Sequence, residues 1–219
     1  MKFNIEFTSN SPFLPAVSIP CYSGILETDA TTKIRNIVLR EESNILTNTP
    51  LPDHETDTDW LTGRLWNYNF LNFKDHEITD LYNWFGKLYK DYVESIGQVP
   101  EPVYIQCWAN LCRPDGRIIT KHNHASAHAG APLENSYISG NLFLGPCTDT
   151  KTYYQNPYLE QCSKGIPNLP GMVILFPSYV NHWIDRTKGS NLRISVAFDI
   201  ITQNTYDQIG SNNFKPLFW

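Results

Sequence analysis

The sequence predicts a mainly β domain, a sandwich or barrel of short strands with helices at its flank. Three observations point there. Aromatic residues make up 13% of the chain and Pro (15) outnumbers Gly (12), which suits short strands joined by fixed turns better than a helix bundle. Residues 101–200 read as a series of short strands separated by turn chemistry. A long one-sided helix precedes them, and such a helix must cover something. With 219 residues, the chain reads as one domain, 1–219. Residues 1–100 form a helical and strand N-terminal support, 101–200 the core, and 201–219 a C-terminal tail.

The strongest helix runs from Asp75 to Ile96. Its apolar residues Ile78, Leu81, Tyr82, Phe85, Leu88, Tyr89, Tyr92 and Ile96 recur every three or four positions. Asp75 can cap its start, Gly97 can end it and Pro100 blocks continuation. A weaker helix spans about Thr31 to Glu42 on Ile34, Ile37 and Val38. Asn48 to His54, with two prolines, reads as loop. Strands are expected at Val103–Leu111, Gly116–Lys121, Tyr137–Leu144, Lys151–Gln155, Met172–Phe176, Val180–Ile184 and Leu192–Ile200. The tail Asn212–Trp219 is loop-like, with aromatics that should dock.

Lys+Arg (17) against Asp+Glu (22) gives a net charge of −5. The broad basic footprint of a phosphate-gripping protein is absent, so nucleic acid is not an expected partner. No stretch resembles a signal peptide or a membrane span of about 18 apolar residues, and a cytoplasmic location is expected. Cys21, Cys107, Cys112, Cys147 and Cys162 are odd in number and form no CxxC pair, the pattern of reduced thiols.

Three of the six histidines fall within seven residues, at His122, His124 and His128. An H-x-H pair at a strand end places both imidazoles on one face, where they can converge on one ion. The bland alternative is a polar turn with solvent-exposed rings. Farther on, Gly171 opens an apolar strand, Pro177 ends it, and His182 follows a hairpin-like reversal that could return it to the pair. Alone, His182 reads as structural. Leu192, Ile194, Val196, Phe198 and Ile200 form one apolar face that must pack, plausibly under the Asp75–Ile96 helix. The opposite face carries Arg193 and Ser195, and Arg offers planar bidentate donors to a carboxylate. Alone, that face reads better as the polar side of an edge strand meeting water; beside a metal site eleven residues upstream, the balance reverses. Trp108 and Asn110 share a face with Gln106. His54 and His76 read as surface residues.

The ordered set Trp108-Ala109-Asn110, His122-Asn123-His124-Ala125, Ser139-Gly140-Asn141-Leu142-Phe143, Gly171 to Phe176-Pro177-Ser178, His182 and Arg193-Ile194-Ser195-Val196-Ala197-Phe198-Asp199 resembles the iron(II)/2-oxoglutarate oxygenases. It is most similar to a group common in marine bacteria and phages. The resemblance covers about Val103 to Ile200. It implies a double-stranded β-helix (jelly-roll, cupin-like) catalytic core, with Fe(II) as metal and 2-oxoglutarate as co-substrate. It implies His122, His124 and His182 as metal ligands, and Arg193, Ser195 and Asn110 at the co-substrate. Most such enzymes carry Asp or Glu where His124 stands, so a carboxylate from Asp149 or Glu134 is the alternative third ligand. Ala125 replaces the group's proline, and residues 125–136 contain an insertion that could form a lid. The implied activity is hydroxylation of a small molecule or peptide side chain, releasing succinate and CO2. The aromatic-rich stretch Tyr153 to Tyr158 is a candidate substrate surface, and jelly rolls often pair, so a homodimer is an expectation.

Cupin spacing fits the same histidines. That reading gives a three-His dioxygenase, an isomerase or a non-enzymatic binding module that does not use 2-oxoglutarate. Arg193-x-Ser195 discriminates, because a plain cupin has no use for it.

Overall fold

The computed structural model describes residues 1–8, 13, 16–53, 55, 60–114, 116, 118–125, 137–147, 149–184, 192–210 and 213–219. His54, His128, Glu134 and nearly all of the 125–136 insertion lie outside the described residues. The strands are β1 (Lys2–Phe7), β2 (Val17–Ile25), β3 (Val103–Cys112), β4 (Ile138–Pro146), β5 (Lys151–Asn156), β6 (Leu159–Pro167), β7 (Met172–Pro177), β8 (His182–Ile184), β9 (Arg193–Thr202) and β10 (Lys215–Leu217). The helices are α1 (Thr28–Asn48), α2 (His76–Ser95) and α3 (Gln203–Ile209), with short 3-10 turns at Thr62–Asn67 and Phe70–Asn72.

Seven strands form one antiparallel sheet in the order β1-β2-β7-β4-β9-β3-β10, and three form a second in the order β6-β5-β8. The order scatters sequence neighbours across two sheets, as a jelly roll does. Side-chain alternation divides the large sheet into two faces. Ile105, Cys107 and Ala109 of β3 and Ile194, Val196, Phe198 and Ile200 of β9 join α1 and α2 in one apolar core. Phe85 of α2 meets Phe198 at 4.3 Å between ring centroids. Ile5, Ile19, Tyr154, Ile174 and Phe176 form a second cluster. The apolar face of the Leu192–Ile200 strand thus lies under the helix that the periodicity predicts.

Four differences from the sequence reading have local causes. Residues 118–120 form no strand, although His122 bridges His182. β6 escapes the apolar pattern because its residues are mostly exposed or half-buried. The tail is not simply loop: β10 adds to the edge of β3, Tyr82 donates to the Pro216 carbonyl at 2.6 Å, and Trp219 packs against Tyr89. Asp75 stands at the α2 N-cap, but its side chain makes no cap bond there. The Arg40 Nη2 takes it instead at 2.7 Å. Gly97, at φ +80°, follows the helix end as expected. All five cysteines are free thiols. No helix among the described residues is long and apolar enough to cross a membrane.

Gly140 of β4 faces Phe198 across the β4–β9 ladder, and a Cβ there would collide with the Phe198 ring. Overpacking of this kind costs about 1–3 kcal/mol. Gly140→Ala is therefore expected to lower the melting temperature by about 2–4 °C per kcal/mol for a chain of this size, read by thermal denaturation. An unchanged melting temperature would show that the ring has room to move.

Candidate active site

Backbone pairing brings the three histidines together. His122 and His182 exchange both N–H···O bonds, at 3.1 and 2.8 Å, and the His124 N–H donates to the Ser178 carbonyl at 3.0 Å. The reversal that returns His182 is closed by the Val180 N–H on the Pro177 carbonyl at 3.0 Å. β8 then pairs with β5, setting His182 opposite Tyr154. The Phe176 ring backs the His182 imidazole at 4.8 Å.

The ring centroids lie 4.9 Å (His122–His124), 4.4 Å (His122–His182) and 5.2 Å (His124–His182) apart. One nitrogen from each ring lies within 4.8 Å of those of the other two. The second nitrogens are already engaged. Nδ1 of His122 meets the Thr120 carbonyl at 2.7 Å, Nδ1 of His182 meets the Val180 carbonyl at 3.0 Å, and Nδ1 of His124 meets Asp199 Oδ2 at 2.8 Å. All three acceptors are oxygens, so each Nδ1 carries the proton and each Nε2 keeps its lone pair. Burial, reinforced by the two neighbouring imidazoles, holds the His182 pKa well below the ordinary range. Burial also opposes charge on His124, but the Asp199 carboxylate outweighs it and lifts that pKa. This donor set fits a divalent metal: three imidazoles in close reach of one another, with an oxygen behind each ring.

β9 contributes the charged residues of the cavity wall. Asp199 accepts from Ser139 Oγ at 2.6 Å as well as from His124, and Ser139 lies 2.8 Å from Ser178 Oγ. Arg193, six residues earlier on the same face of the strand, is 1% exposed. Its Nη1 donates to Ser195 Oγ at 3.0 Å, and its Cζ lies 5.5 Å from the Phe143 ring centroid. Its Nε has no partner, and among the described residues no carboxylate pairs with it. Burial pushes its pKa down, partly offset by the Cys112 thiol. A cavity of about 470 Å³ is lined by Arg193 and by all three histidines.

The structure brings together His122, His124, His182, Arg193 and Asn110 around this one cavity. Ser195 is fully buried beneath it as the partner of Arg193. Asn110 Oδ1 accepts from Thr62 Oγ1 at 2.6 Å, so this side chain also anchors the Thr62–Asn67 turn. His76 is exposed and pairs with Asp80 at 3.2 Å, away from the site. Asp149, one candidate carboxylate, accepts from Cys147 at 2.7 Å and is not among the cavity residues. The carboxylate that does arrive is Asp199, behind His124 and not beside it. Sequence reasoning gave no role to Asp199, Ser139 or Ser178. The signal for Asp199 was strand parity, because positions 193, 195, 197 and 199 share a face. The Tyr153–Tyr158 stretch does not line the cavity; Tyr154 packs against Phe176 instead.

Ser139→Ala removes one of two donors to a buried carboxylate, a loss of about 1–3 kcal/mol. Denaturant unfolding of the metal-free protein is expected to show that loss, and equal stability of variant and parent would mean that water replaces the hydroxyl.

Residues 106–199 match a family model described as "Putative 2OG-Fe(II) oxygenase". No curated protein matches the chain. Among solved structures, a prolyl-4-hydroxylase from Pseudomonas putida is similar at 12% identity and TM-score 0.57, over 84% of this chain and 88% of that one. SnoK, a non-heme alpha-ketoglutarate-dependent carbocyclase from nogalamycin biosynthesis, is similar at 10% identity and TM-score 0.58, over 83% and 79%. HygX from Streptomyces hygroscopicus, solved with nickel and 2-oxoglutarate bound, is similar at 10% identity and TM-score 0.56, over 84% and 82%. Likeness at such low identity speaks for the jelly-roll fold. The matched stretch contains the three histidines and Arg193, and over it the chain is similar to the iron(II)/2-oxoglutarate oxygenases.

Proposed function

We propose that the chain hydroxylates an unactivated C–H bond of a small molecule or peptide side chain, consuming 2-oxoglutarate and releasing succinate and CO2. In this reading His122, His124 and His182 hold Fe(II) through Nε2, and Arg193 and Ser195 bind the distal carboxylate of 2-oxoglutarate. Asn110 faces the same cavity.

The observation that carries the reading is the isolated cation. A guanidinium 1% exposed, with an orphaned Nε and no carboxylate partner among the described residues, is costly unless an anion arrives. A dicarboxylic co-substrate supplies that anion at a distance from the metal-binding rings, within one cavity. A cupin that does not use a 2-oxo acid leaves this cation unexplained.

When bound, the iron supplies oxygen activation coupled to decarboxylation of the co-substrate. The chain's own residues orient and exclude. The Thr120 and Val180 carbonyls and the Asp199 carboxylate fix the three ring planes. Ser195 holds the guanidinium in its fork geometry. Phe143 packs beside the Arg193 guanidinium and Phe176 beside His182, and such apolar surroundings strengthen an ionic contact with the co-substrate.

Anaerobic addition of Fe(II) and 2-oxoglutarate is expected to give a visible charge-transfer band, and its absence would sink the reading. Arg193→Met is expected to weaken 2-oxoglutarate binding by about 2–5 kcal/mol, roughly thirtyfold or more. Metal content and melting temperature of the ligand-free variant should hold or rise, since a buried cation without a partner is replaced by a hydrophobe. Calorimetry showing parental affinity would remove Arg193 from its role. His182→Ala is expected to abolish iron retention, read as the iron-to-protein ratio after purification without chelators; parental occupancy would place the metal elsewhere.

A further inference from the structure

The cavity has two unlike ends. Arg193, 1% exposed, marks its buried end, and all three histidines line it. Its wall also includes the apolar residues Trp60, Leu65, Trp66, Ile118, Ile119 and Phe214. Trp66, 41% exposed, marks the rim. Among the described lining residues only Arg193 and Asp199 are charged. Asp199 is spent on His124 and Ser139.

This outer wall is built, not loose. Thr62 is bonded to Asn110 at 2.6 Å. The Gln106 amide donates to the Leu65 carbonyl, and the Asn213 amide donates to the Trp66 carbonyl. Asn67 donates to the Pro50 carbonyl at 2.7 Å. The Thr62–Asn67 turn is thus tied to β3, to the C-terminal segment and to the loop after α1. A wall fixed in this way presents its apolar surface without a reorganisation cost on binding.

We infer that the outer chamber takes an uncharged, apolar group of about the size of an aromatic ring, and that the substrate presents no carboxylate, phosphate or ammonium there. The inference rests on the proposed function in one respect: the co-substrate occupies Arg193. With that cation engaged, no other described lining residue is a lysine or arginine, and both Asp199 oxygens are already held, by His124 and Ser139. Burying an unpaired charge against Trp60, Ile118 and Phe214 is strongly unfavourable, whereas apolar contact gains about 25 cal/mol per Å². Neutral polar lining residues, Thr120 and Asn123, can orient a hydroxyl or amide on an otherwise apolar molecule. A free amino acid, with two charges on one carbon, is the wrong substrate for this chamber.

The test uses N-phenyl-1-naphthylamine, an uncharged fluorophore, on protein loaded with redox-inert Zn(II) and 2-oxoglutarate. The dye is expected to bind with enhanced emission. Indole should displace it at about tenfold lower concentration, or less, than indole-3-acetate or tryptamine, the ratio set by about 1.4 kcal/mol of charge burial. Trp66→Glu, at a rim position that tolerates a polar side chain, should weaken indole and strengthen tryptamine, narrowing the ratio at least about fivefold. Equal displacement by indole and its charged counterparts, or no dye binding, overturns the inference. 2-Oxoglutarate binding is read separately by calorimetry on the same samples, and the displacement series is repeated without Zn(II) and 2-oxoglutarate. Loss of 2-oxoglutarate binding with indole selectivity retained overturns the assigned function alone; 2-oxoglutarate binding without indole selectivity overturns the chamber alone.

Discussion

A strand buried on both faces can carry charge only where each charge finds a partner, and β9 is such a strand. One face is Ile194, Val196, Phe198 and Ile200, sealed against the helices. The other holds Arg193, Ser195 and Asp199, all buried. Because alternation is fixed, a one-residue slip would drive both charges into the helix-side core. The apolar packing of Phe198 under Phe85 therefore sets the orientation of the cavity's charges. Core and site are two faces of one strand, and register is what they share.

The two charges are treated differently. Asp199 is satisfied within the protein by His124 and Ser139. Arg193 is left with a hydroxyl, the Cys112 thiol, an aromatic face and an orphaned Nε. Stability alone would favour a hydrophobe at that position. In the proposed reading, this under-satisfied cation in a well-packed fold is where the chain gives up stability for the co-substrate.

Much of this was legible in the residues, and the parts that were not share a cause. α2 and β9 announce themselves because each has one continuous apolar face. β6 is mostly exposed or half-buried, and β10 is three residues long; both owe their pairing to neighbours that the local pattern does not contain. In β2, Pro20 sits mid-strand, yet register still pairs it with Asn4. The histidines stood out because H-x-H has few structural uses. Asp199 did not, because a single Asp near the end of an apolar strand becomes informative only when His124 is known to lie 2.8 Å away, across 75 positions of sequence. The outer apolar wall was hidden for the same reason. The Thr62–Asn67 turn reaches the cavity through contacts with Gln106, Asn110 and Asn213, and no periodicity records those.

The place of Asp199 also bears on the unusual donor set. Non-haem iron oxygenases commonly use two histidines and one carboxylate, and here an imidazole stands where the carboxylate would be. In the proposed arrangement that exchange makes the inner ligand set neutral. Asp199 returns the lost charge one bond network farther out, through Nδ1 of His124, where a carboxylate raises the basicity of the ring it holds. Ser139 pins its other oxygen. Formal charges then cancel over the loaded cavity: a divalent metal and Arg193 against a doubly charged co-substrate and Asp199. The same sum holds for two histidines and one coordinating carboxylate. A low-dielectric cavity penalises net charge far more than it penalises the redistribution of balanced charge. The chain can therefore replace a coordinating carboxylate by His124, provided that the anion stays within hydrogen-bonding reach of it.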